Sequence, residues 1–228
     1  MTESVLALDG PAASGKSSTA LAVARRLGCL HLDSGAIYRA VTFVALDEAL
    51  GDDAEAMLRA VERRGFTLQP FDAGFEAFLD GEPAEARIRT PAVTAHVSRI
   101  SALPAVREWV NQRLRLAAHG RAVVVDGRDI GTVVFPEARL KVYLHATARA
   151  RAERRLRQRG DAVDAAALEA ETARLAERDH QDSTRAVAPL RRAPDAAFLD
   201  TSELTFEEGV ERVIALWEGR LAEGGAEG

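Results

Sequence analysis

Gly10-Pro-Ala-Ala-Ser-Gly-Lys-Ser17, preceded by the apolar run Val5-Leu6-Ala7-Leu8, is the most informative stretch of the sequence. It fits the pattern G-x-x-x-x-G-K-[ST], in which a buried strand enters a glycine-bounded loop and a helix begins near the lysine. The backbone N–H groups of such a loop and the N-terminus of the helix bind phosphate. In this pattern Lys16 reaches the outer phosphates of a nucleotide, and Ser17 helps to hold Mg²⁺. A glycine-rich turn that fits by chance would not explain why strand, loop and helix occur in this order.

The composition is that of an ordinary globular protein, with 228 residues of which 47% are hydrophobic and 29% are charged. This length predicts one large domain or a core with insertions. The net charge of −5 does not favour binding to a nucleic acid polymer. The single cysteine, Cys29, excludes an intramolecular disulfide and a cysteine metal site. Because the sequence shows neither a signal peptide nor a transmembrane run, we expect a cytoplasmic protein that does not bind membranes.

Apolar runs alternate with helical patterns along the chain, which predicts an α/β fold with a parallel sheet and crossover helices. Five strands are predicted, and they cover residues 5–9, 29–32, 121–126, 140–145 and 196–200. Helices are predicted over 17–27, from the turn at 33–35 through Ala45, and over 206–221. Gly28 is expected to end the first helix, and Ser34 can cap the second.

Two segments interrupt this alternation. Residues 65–90 contain alternating apolar patches and a turn signal at Asp80-Gly81, which predicts an inserted antiparallel hairpin or meander. Residues 157–175 are highly charged and have few large apolar residues, which indicates a mobile arm. The small, acidic tail from residue 222 onward is expected to fray.

Polar side chains follow the strand predicted at 121–126. In many P-loop proteins a second apolar strand ends in an acid near Mg²⁺, and Asp126 supplies that acid, directly or through water. The loop Gly127-Arg128-Asp129-Ile130-Gly131-Thr132 then leaves the carboxyl end of the strand, where ligands bind in open α/β sheets. The alternative is a tight turn in which Arg128 and Asp129 pair on the surface.

Several arginines have no obvious partner in the sequence. Arg39, in the helix after Asp33-Ser34-Gly35, is interpreted as a ligand of a second phosphate. Arg178 and Asp182 lie four residues apart, which fits an ordinary helical ion pair as well as it fits a ligand site. Arg154 and Arg155 precede the mobile arm. They belong either to a solvated basic helix or to a lid whose arginines close over phosphates and stabilise the transferring charge.

Other nucleotide signatures are missing from the sequence. No Asn-Lys-x-Asp motif occurs, which argues against a GTPase, and Gly127 follows Asp126 where a motor ATPase has a glutamate. The five histidines are scattered, and each is interpreted as a core or surface residue: His31, His96, His119, His145 and His180.

Together these motifs resemble those of the bacterial cytidylate kinases, which are nucleoside monophosphate kinases. The resemblance covers nearly the whole chain and rests, beyond the loop, on LDSGAIYRA (32–40), IRTPAV (88–93), VVDGRDIGTVVFPEA (124–138) and RDHQDSTRAVAPL (178–190). It implies a P-loop kinase core with a five-stranded parallel sheet, a small antiparallel β insert in the monophosphate-binding domain, and a mobile lid. The implied activity is transfer of the γ-phosphate of ATP to CMP or dCMP with Mg²⁺.

The resemblance also implies the site residues. ATP is expected to be bound by Gly10, Pro11, Ala12, Ala13, Ser14, Gly15, Lys16, Ser17 and Ser18. The acceptor nucleotide is expected to be bound by Ser34, Arg39 and Arg128 near its phosphate, Ser98, Arg107, Asp129 and Arg185 near its base, and Arg178 and Asp182 near its ribose. Catalysis is expected to depend on Lys16, Arg128, Arg154 and Arg155. Because the family often has Gly-Lys-Gly-Thr where this chain has Gly15-Lys16-Ser17-Ser18, the hydroxyl that faces Mg²⁺ belongs to either Ser17 or Ser18.

The expected organisation is a P-loop core (1–34, 119–155 and 179–222), a monophosphate-binding domain (35–118, with the insert at about 65–90), a lid (156–178) and a flexible tail (223–228). The expected partners are the small molecules ATP and CMP or dCMP, and the protein is expected to be a monomer.

Two other hypotheses stay open. The chain could be a P-loop kinase for UMP, dTMP, AMP or shikimate, or a regulator that uses ATP only as a switch.

Overall fold

A computed structural model describes the backbone of residues 4–225 and the side chains of residues 4–222. Its strands are β1 (Val5–Asp9), β2 (Leu30–Asp33), β3 (Thr67–Phe71), β4 (Gly74–Leu79), β5 (Glu82–Pro83), β6 (Val123–Gly127), β7 (Leu140–His145) and β8 (Ala197–Asp200). Its helices are α1 (Lys16–Leu27), α2 (Ser34–Asp47), α3 (Ala54–Arg63), α4 (Glu85–Ile88), α5 (Pro91–Ile100), α6 (Pro104–Ala118), α7 (Ala148–Arg159), α8 (Ala165–Thr184) and α9 (Phe206–Gly225). A π-helical turn (Ile130–Val134) follows β6.

The strands form one sheet in the order β3-β4-β2-β6-β1-β7-β8, with β5 paired to β4. The five strands from β2 to β8 in this order are mutually parallel, which confirms the predicted five-stranded parallel core. Helices pack on both faces, as the near-continuous apolar strands require. Val123 and Val125 of β6 point into one core, whereas Val124 points into the other.

The predicted antiparallel insert is confirmed in β3, β4 and β5, but it is not a separate sheet. β4 extends the core sheet through a single parallel pairing of Gly74 with His31. The His31 N–H also donates to the carbonyl of Ala73 at 2.8 Å. A side chain at position 74 would approach the His31 carbonyl to 3.1 Å, so the small residue permits this junction.

Local boundaries differ from the predictions in three places. Ser34 does not cap α2, because the cap is Asp33, whose carboxylate accepts from the N–H of Gly35 at 2.8 Å. The charged segment 157–175 folds into the end of α7 and most of α8, which pack on each other through Leu156, Leu168 and Leu175. Helix α9 continues to Gly225, beyond its predicted end, and residues 226–228 of the predicted tail lie outside the described residues.

Candidate functional site

The loop 10–15 connects β1 to α1 and has two positions that require glycine. Gly10 has φ +152°, and a Cβ there would lie 2.1 Å from the Leu144 carbonyl oxygen. Gly15 is left-handed, with φ +86°, and begins α1 without a side-chain cap. Within residues 4–225, the backbone N–H groups of Gly15, Lys16 and Ser17 have no hydrogen-bond acceptor. These donors lie at the positive N-terminal end of α1 and have no acceptor among the described residues, which is the arrangement of an anion site.

Lys16 lies under this loop and is only 5% exposed. Its Nζ donates to the Pro11 carbonyl at 2.5 Å and to the Ser14 hydroxyl at 3.3 Å. Burial and the nearby Arg128 charge hold the pKa of Lys16 well below its usual range. Since its contacts are neutral oxygens, an anion in the loop would favour its charged form.

Asp126 connects the loop with the neighbouring strands. Its Oδ2 accepts from the Ser17 hydroxyl at 2.7 Å, and its Oδ1 lies 2.7 Å from His31 Nε2. Of the two candidate serines, only Ser17 makes this contact within the described part of the chain. Burial alone would lower the pKa of His31, but the hydrogen bond to Asp126 and the charges of Asp126 and Asp33 raise it.

The donor set fits a magnesium ion that is shared with phosphates. No group of three or more His, Cys, Asp or Glu side chains that could hold a metal occurs among the described residues. Mg²⁺ bound to a nucleotide does not need such a group, because one or two protein oxygens suffice beside phosphate and water. The Ser17 hydroxyl and the Asp126 carboxylate are hard oxygen donors, and they lie together at the start of α1.

Cationic side chains converge next to the loop and outnumber their carboxylate partners. Arg128 pairs with Asp182 through Nε at 2.9 Å. Arg39 donates only to the Thr94 hydroxyl, at 2.9 Å, and the buried Nε of Arg178 has no partner in the described structure. Burial lowers the pKa of Arg178 to about 10, and the neighbouring charges of Arg128, Arg39 and Arg155 act in the same direction. Buried, mutually repelling guanidinium groups are costly unless an anion binds among them.

A second polar cluster lies beyond this one, at the π-helical turn. Asp129 accepts from Arg107 at 2.5 Å and lies 3.5 Å from Arg185. The guanidinium of Arg107 also lies over the ring of Tyr38, 5.4 Å from its centroid. The Tyr38 hydroxyl and Arg107 Nε are buried without a hydrogen-bond partner in the described structure. The cluster therefore has unused polar atoms around a fixed carboxylate, which suits recognition of a polar ring.

Three predicted residues lie outside these two clusters. Arg154 donates to the carbonyls of Thr201, Ser202 and Leu204, so its guanidinium is bound to the loop after β8. Arg155 pairs with Glu171 of α8 at 3.2 Å, although its charge still acts on Arg39 and Arg178. Ser98 lies on α5, where its carbonyl accepts from the Ser101 hydroxyl.

Ser34, by contrast, lies beside Asp126, because its hydroxyl donates to the Asp126 carbonyl at 2.7 Å. Ser18 is exposed in the first turn of α1. Pro11 and Ala12 are buried in the loop, and Ala13 has a left-handed φ of +58°.

Sequence reasoning missed several residues that shape the site. Asp9 accepts from the N–H groups of Ile130 and Gly131 at 2.8 and 2.7 Å, and so ties β1 to the turn after Asp129. Burial raises the pKa of Asp9 to about 6 despite these two hydrogen bonds. The position of Asp9 at the end of a buried strand was the available signal. His31 was interpreted as a core or surface residue, and the contact with Asp126 depends on a strand register that the sequence does not reveal.

Asp179 and Arg151 form a further contact that no motif indicated. Asp179 accepts from the Ala12 N–H at 3.1 Å and pairs with Arg151 at 2.6 Å. Arg151 in turn donates to the Ala12 carbonyl at 2.7 Å. The N–H and the carbonyl of Ala12 therefore connect the loop to α8 and α7, respectively.

Comparisons with known proteins identify relatives over almost the entire chain. The family model for cytidylate kinase matches residues 6–218. A cytidylate kinase from Rhodococcus opacus (strain B4) is 46% identical over 217 residues, which are 92% of this chain and 93% of the relative. A bifunctional pantoate ligase/cytidylate kinase from Synechococcus sp. (strain JA-3-3Ab) is 42% identical over 97% of this chain, which spans only 42% of that relative. Among solved structures, TT1252 from Thermus thermophilus matches at 17% identity, over 96% of each chain, with a TM-score of 0.45.

Proposed function

Because the chain belongs to the cytidylate kinase family, we propose that it transfers the γ-phosphate of ATP to CMP or dCMP, giving ADP and CDP or dCDP. The observation that carries this proposal is the excess of cations beside the loop. Among residues 4–222, Lys16, Arg39 and Arg178 have no carboxylate in contact, and Arg128 has one. The phosphates of a donor and an acceptor nucleotide would supply the missing negative charge.

On the donor side, the loop Gly10 to Ser18 is proposed to bind the phosphates of ATP. The free N–H groups of Gly15, Lys16 and Ser17 would donate to phosphate oxygens. Lys16 would exchange its two neutral oxygen partners for the β- and γ-phosphates, where it stabilises the leaving charge. Ser17 and Asp126 would hold Mg²⁺, which neutralises charge on the phosphates when it is bound.

On the acceptor side, Arg39 and Arg128 are proposed to bind the phosphate of CMP, close to Ser34. Arg178 and Asp182 are proposed to bind the ribose. Ser98, Arg107, Asp129 and Arg185 are proposed to bind the cytosine base. Asp129 suits the exocyclic amino group of cytosine, because a carboxylate accepts from that donor. Its position is fixed by a hydrogen bond from Arg107 at 2.5 Å.

Phosphoryl transfer requires little of the protein beyond placing the two nucleotides next to each other. An oxygen of the CMP phosphate attacks the γ-phosphorus in line, and the bond from that phosphorus to the β,γ-bridging oxygen breaks. No general base is needed, because a phosphate monoester is already ionised near neutral pH. The chain's own task is to hold two polyanions together and to exclude water, which would otherwise accept the phosphoryl group.

The segment 156–178 is proposed to act as the lid, with residues 35–118 as the monophosphate-binding domain and the remaining residues as the core. Of the two arginines at its base, Arg155 is better placed to act on phosphates, because its charge already reaches Arg39 and Arg178. Arg154 would first have to leave its three carbonyl partners. No helix among the described residues has the length and apolar character to span a bilayer. A cytoplasmic location and a monomeric state stay predictions.

The test is ADP formation from ATP and Mg²⁺ with single acceptors. CMP, dCMP, UMP, dTMP, AMP and shikimate would be offered separately to the wild-type protein and to Lys16→Ala. The proposal expects rapid ADP formation with CMP and dCMP and little with the others. Rapid formation with another acceptor would overturn the assignment of the base pocket. ATP binding without ADP formation in the presence of any acceptor would favour the alternative hypothesis, a regulator that uses ATP only as a switch.

A further inference from the structure

We propose that His31 is a positioning residue for Asp126, and that it sets how strongly Mg²⁺ strengthens nucleotide binding. This inference rests on the proposed function only in placing a nucleotide at the loop and Mg²⁺ near Ser17. His31 lies outside the motifs that carry the resemblance, one residue before LDSGAIYRA (32–40).

Asp126 has one hydrogen-bond partner at each of its carboxylate oxygens. Asp126 is a buried carboxylate, 3% exposed, and its Oδ2 accepts from the Ser17 hydroxyl. Its Oδ1 lies 2.7 Å from His31 Nε2, and the tautomer of His31 that carries a proton on Nε2 donates to this oxygen. Each oxygen of Asp126 is therefore held by a different donor, and the carboxylate cannot rotate without losing one of them.

The main chain of His31 is held by the neighbouring strand. His31 is the residue at which the insert joins the core sheet, through the pairing with Gly74 and the hydrogen bond to Ala73. Its side chain is 11% exposed. In the β2–β6 register His31 stands opposite Val124, so it is a diagonal neighbour of Asp126 on one face of the sheet. His31 thus contacts a proposed magnesium-side acid from a fixed main-chain position, and partners of this kind typically change metal affinity 10- to 100-fold.

The experiment compares two amide variants that differ in reach. In His31→Gln the side-chain amide places an N–H donor near the position of Nε2, whereas in His31→Asn the donor stops nearer the main chain. Calorimetry measures the dissociation constant of ADP with Mg²⁺ and in excess EDTA. The readout is the constant in EDTA divided by the constant with Mg²⁺, which is the factor by which Mg²⁺ strengthens ADP binding. His96→Asn is the matched control, because within the described residues the His96 ring is hydrogen-bonded only to the Ala92 carbonyl of its own helix.

We expect the ratio to fall by about tenfold or more in His31→Asn, with the dissociation constant in EDTA unchanged within about twofold. We expect His31→Gln and His96→Asn to keep the wild-type ratio. A loss of ADP affinity that is equal with and without Mg²⁺ would overturn the proposal, because it would show a structural role alone. An unchanged ratio in His31→Asn, or a loss in His31→Gln as large as in His31→Asn, would also overturn it.

The thermal denaturation midpoint of each variant establishes that the titrated protein is folded. If His31→Asn does not fold, His31→Leu in the same titration replaces it with a side chain of similar volume and no donor. Failure of the proposed function is recognised separately, because it is judged by transfer from ATP to CMP in the wild-type protein. A wild type that transfers phosphate but whose ADP binding does not depend on Mg²⁺ overturns the His31 proposal alone.

Discussion

Replacing Asp129 by asparagine tests whether the polar cluster at the π-helical turn is held together by one carboxylate. Asp129, Arg107 and Arg185 all have side chains that are at most 7% exposed. The asparagine keeps the shape but removes the charge, so two buried guanidinium groups lose their anionic partner. Removing one partner of a buried ion pair typically costs 3–5 kcal/mol, so we expect the free energy of unfolding to fall by about 3 kcal/mol or more.

Urea denaturation of Asp129→Asn, Arg107→Met and the double variant measures the free energy that couples the pair. We expect a coupling of about 2 kcal/mol, because the double variant no longer buries the charge that the first substitution leaves unpaired. Asp161→Asn is the control, since its pair with Arg159 is exposed and should contribute less than about 1 kcal/mol. If Asp129→Asn loses no more free energy of unfolding than Asp161→Asn, the Asp129 carboxylate does not hold the cluster together.

Three further predictions follow from the site. Lys16→Ala should reduce kcat by about 10²- to 10³-fold or more without lowering the free energy of unfolding, because Lys16 is a buried cation whose contacts among the described residues are neutral. Near-normal turnover in the ADP assay would contradict this. Asp9 should make the protein less stable as the pH rises from about 4 to about 6, because the native state keeps a proton that the unfolded state, with a pKa of 3.8, has released. The loss should be about 3 kcal/mol relative to Asp9→Asn in urea titrations across this range, and identical pH profiles would contradict it. Gly10→Ala should lower the free energy of unfolding by about 3 kcal/mol, because its Cβ meets the Leu144 carbonyl. Gly28 is also left-handed but has open space around it, so Gly28→Ala should cost about 1 kcal/mol. Equal losses in the two variants would be evidence against a steric cause.

The strands of the core could be predicted from the sequence because each is a short, buried, apolar run. The predicted strand at 140–145 coincides with β7, and the one at 5–9 coincides with β1. The insert was also predictable, from its alternation and its turn at Asp80-Gly81. Its attachment to the sheet was not, because one pairing between Gly74 and His31 leaves no pattern in the sequence.

The helical hairpin of α7 and α8 was missed for a different reason. Its contacts are few apolar side chains and many arginine–glutamate pairs, so its composition is that of a solvated arm. Glu171 alone, 2% exposed, pairs with Arg155, Arg159 and Arg174. Arg174 belongs to the same helix as Glu171, but Arg155 and Arg159 belong to α7. The two pairs between the helices form only when both helices are in place, and no local periodicity reports them.

The candidate site was predictable where a motif keeps its residues together, as in the loop 10–18. It was not predictable where strands bring distant residues side by side. Asp9 accepts hydrogen bonds from Ile130 and Gly131, and His31 is hydrogen-bonded to Asp126. Each of these contacts spans about a hundred residues or more of chain. They depend on the registers of β1 and β2 against β6, which become visible only in the folded sheet.

The most direct test of phosphoryl transfer between two bound nucleotides is the balance of products. Phosphorus NMR of the wild-type protein with ATP, Mg²⁺ and CMP resolves ADP, CDP and inorganic phosphate in one sample. We expect ADP and CDP to appear in equal amounts and inorganic phosphate not to accumulate. ADP that appears with inorganic phosphate instead of CDP would contradict it, because the γ-phosphate would then be passing to water.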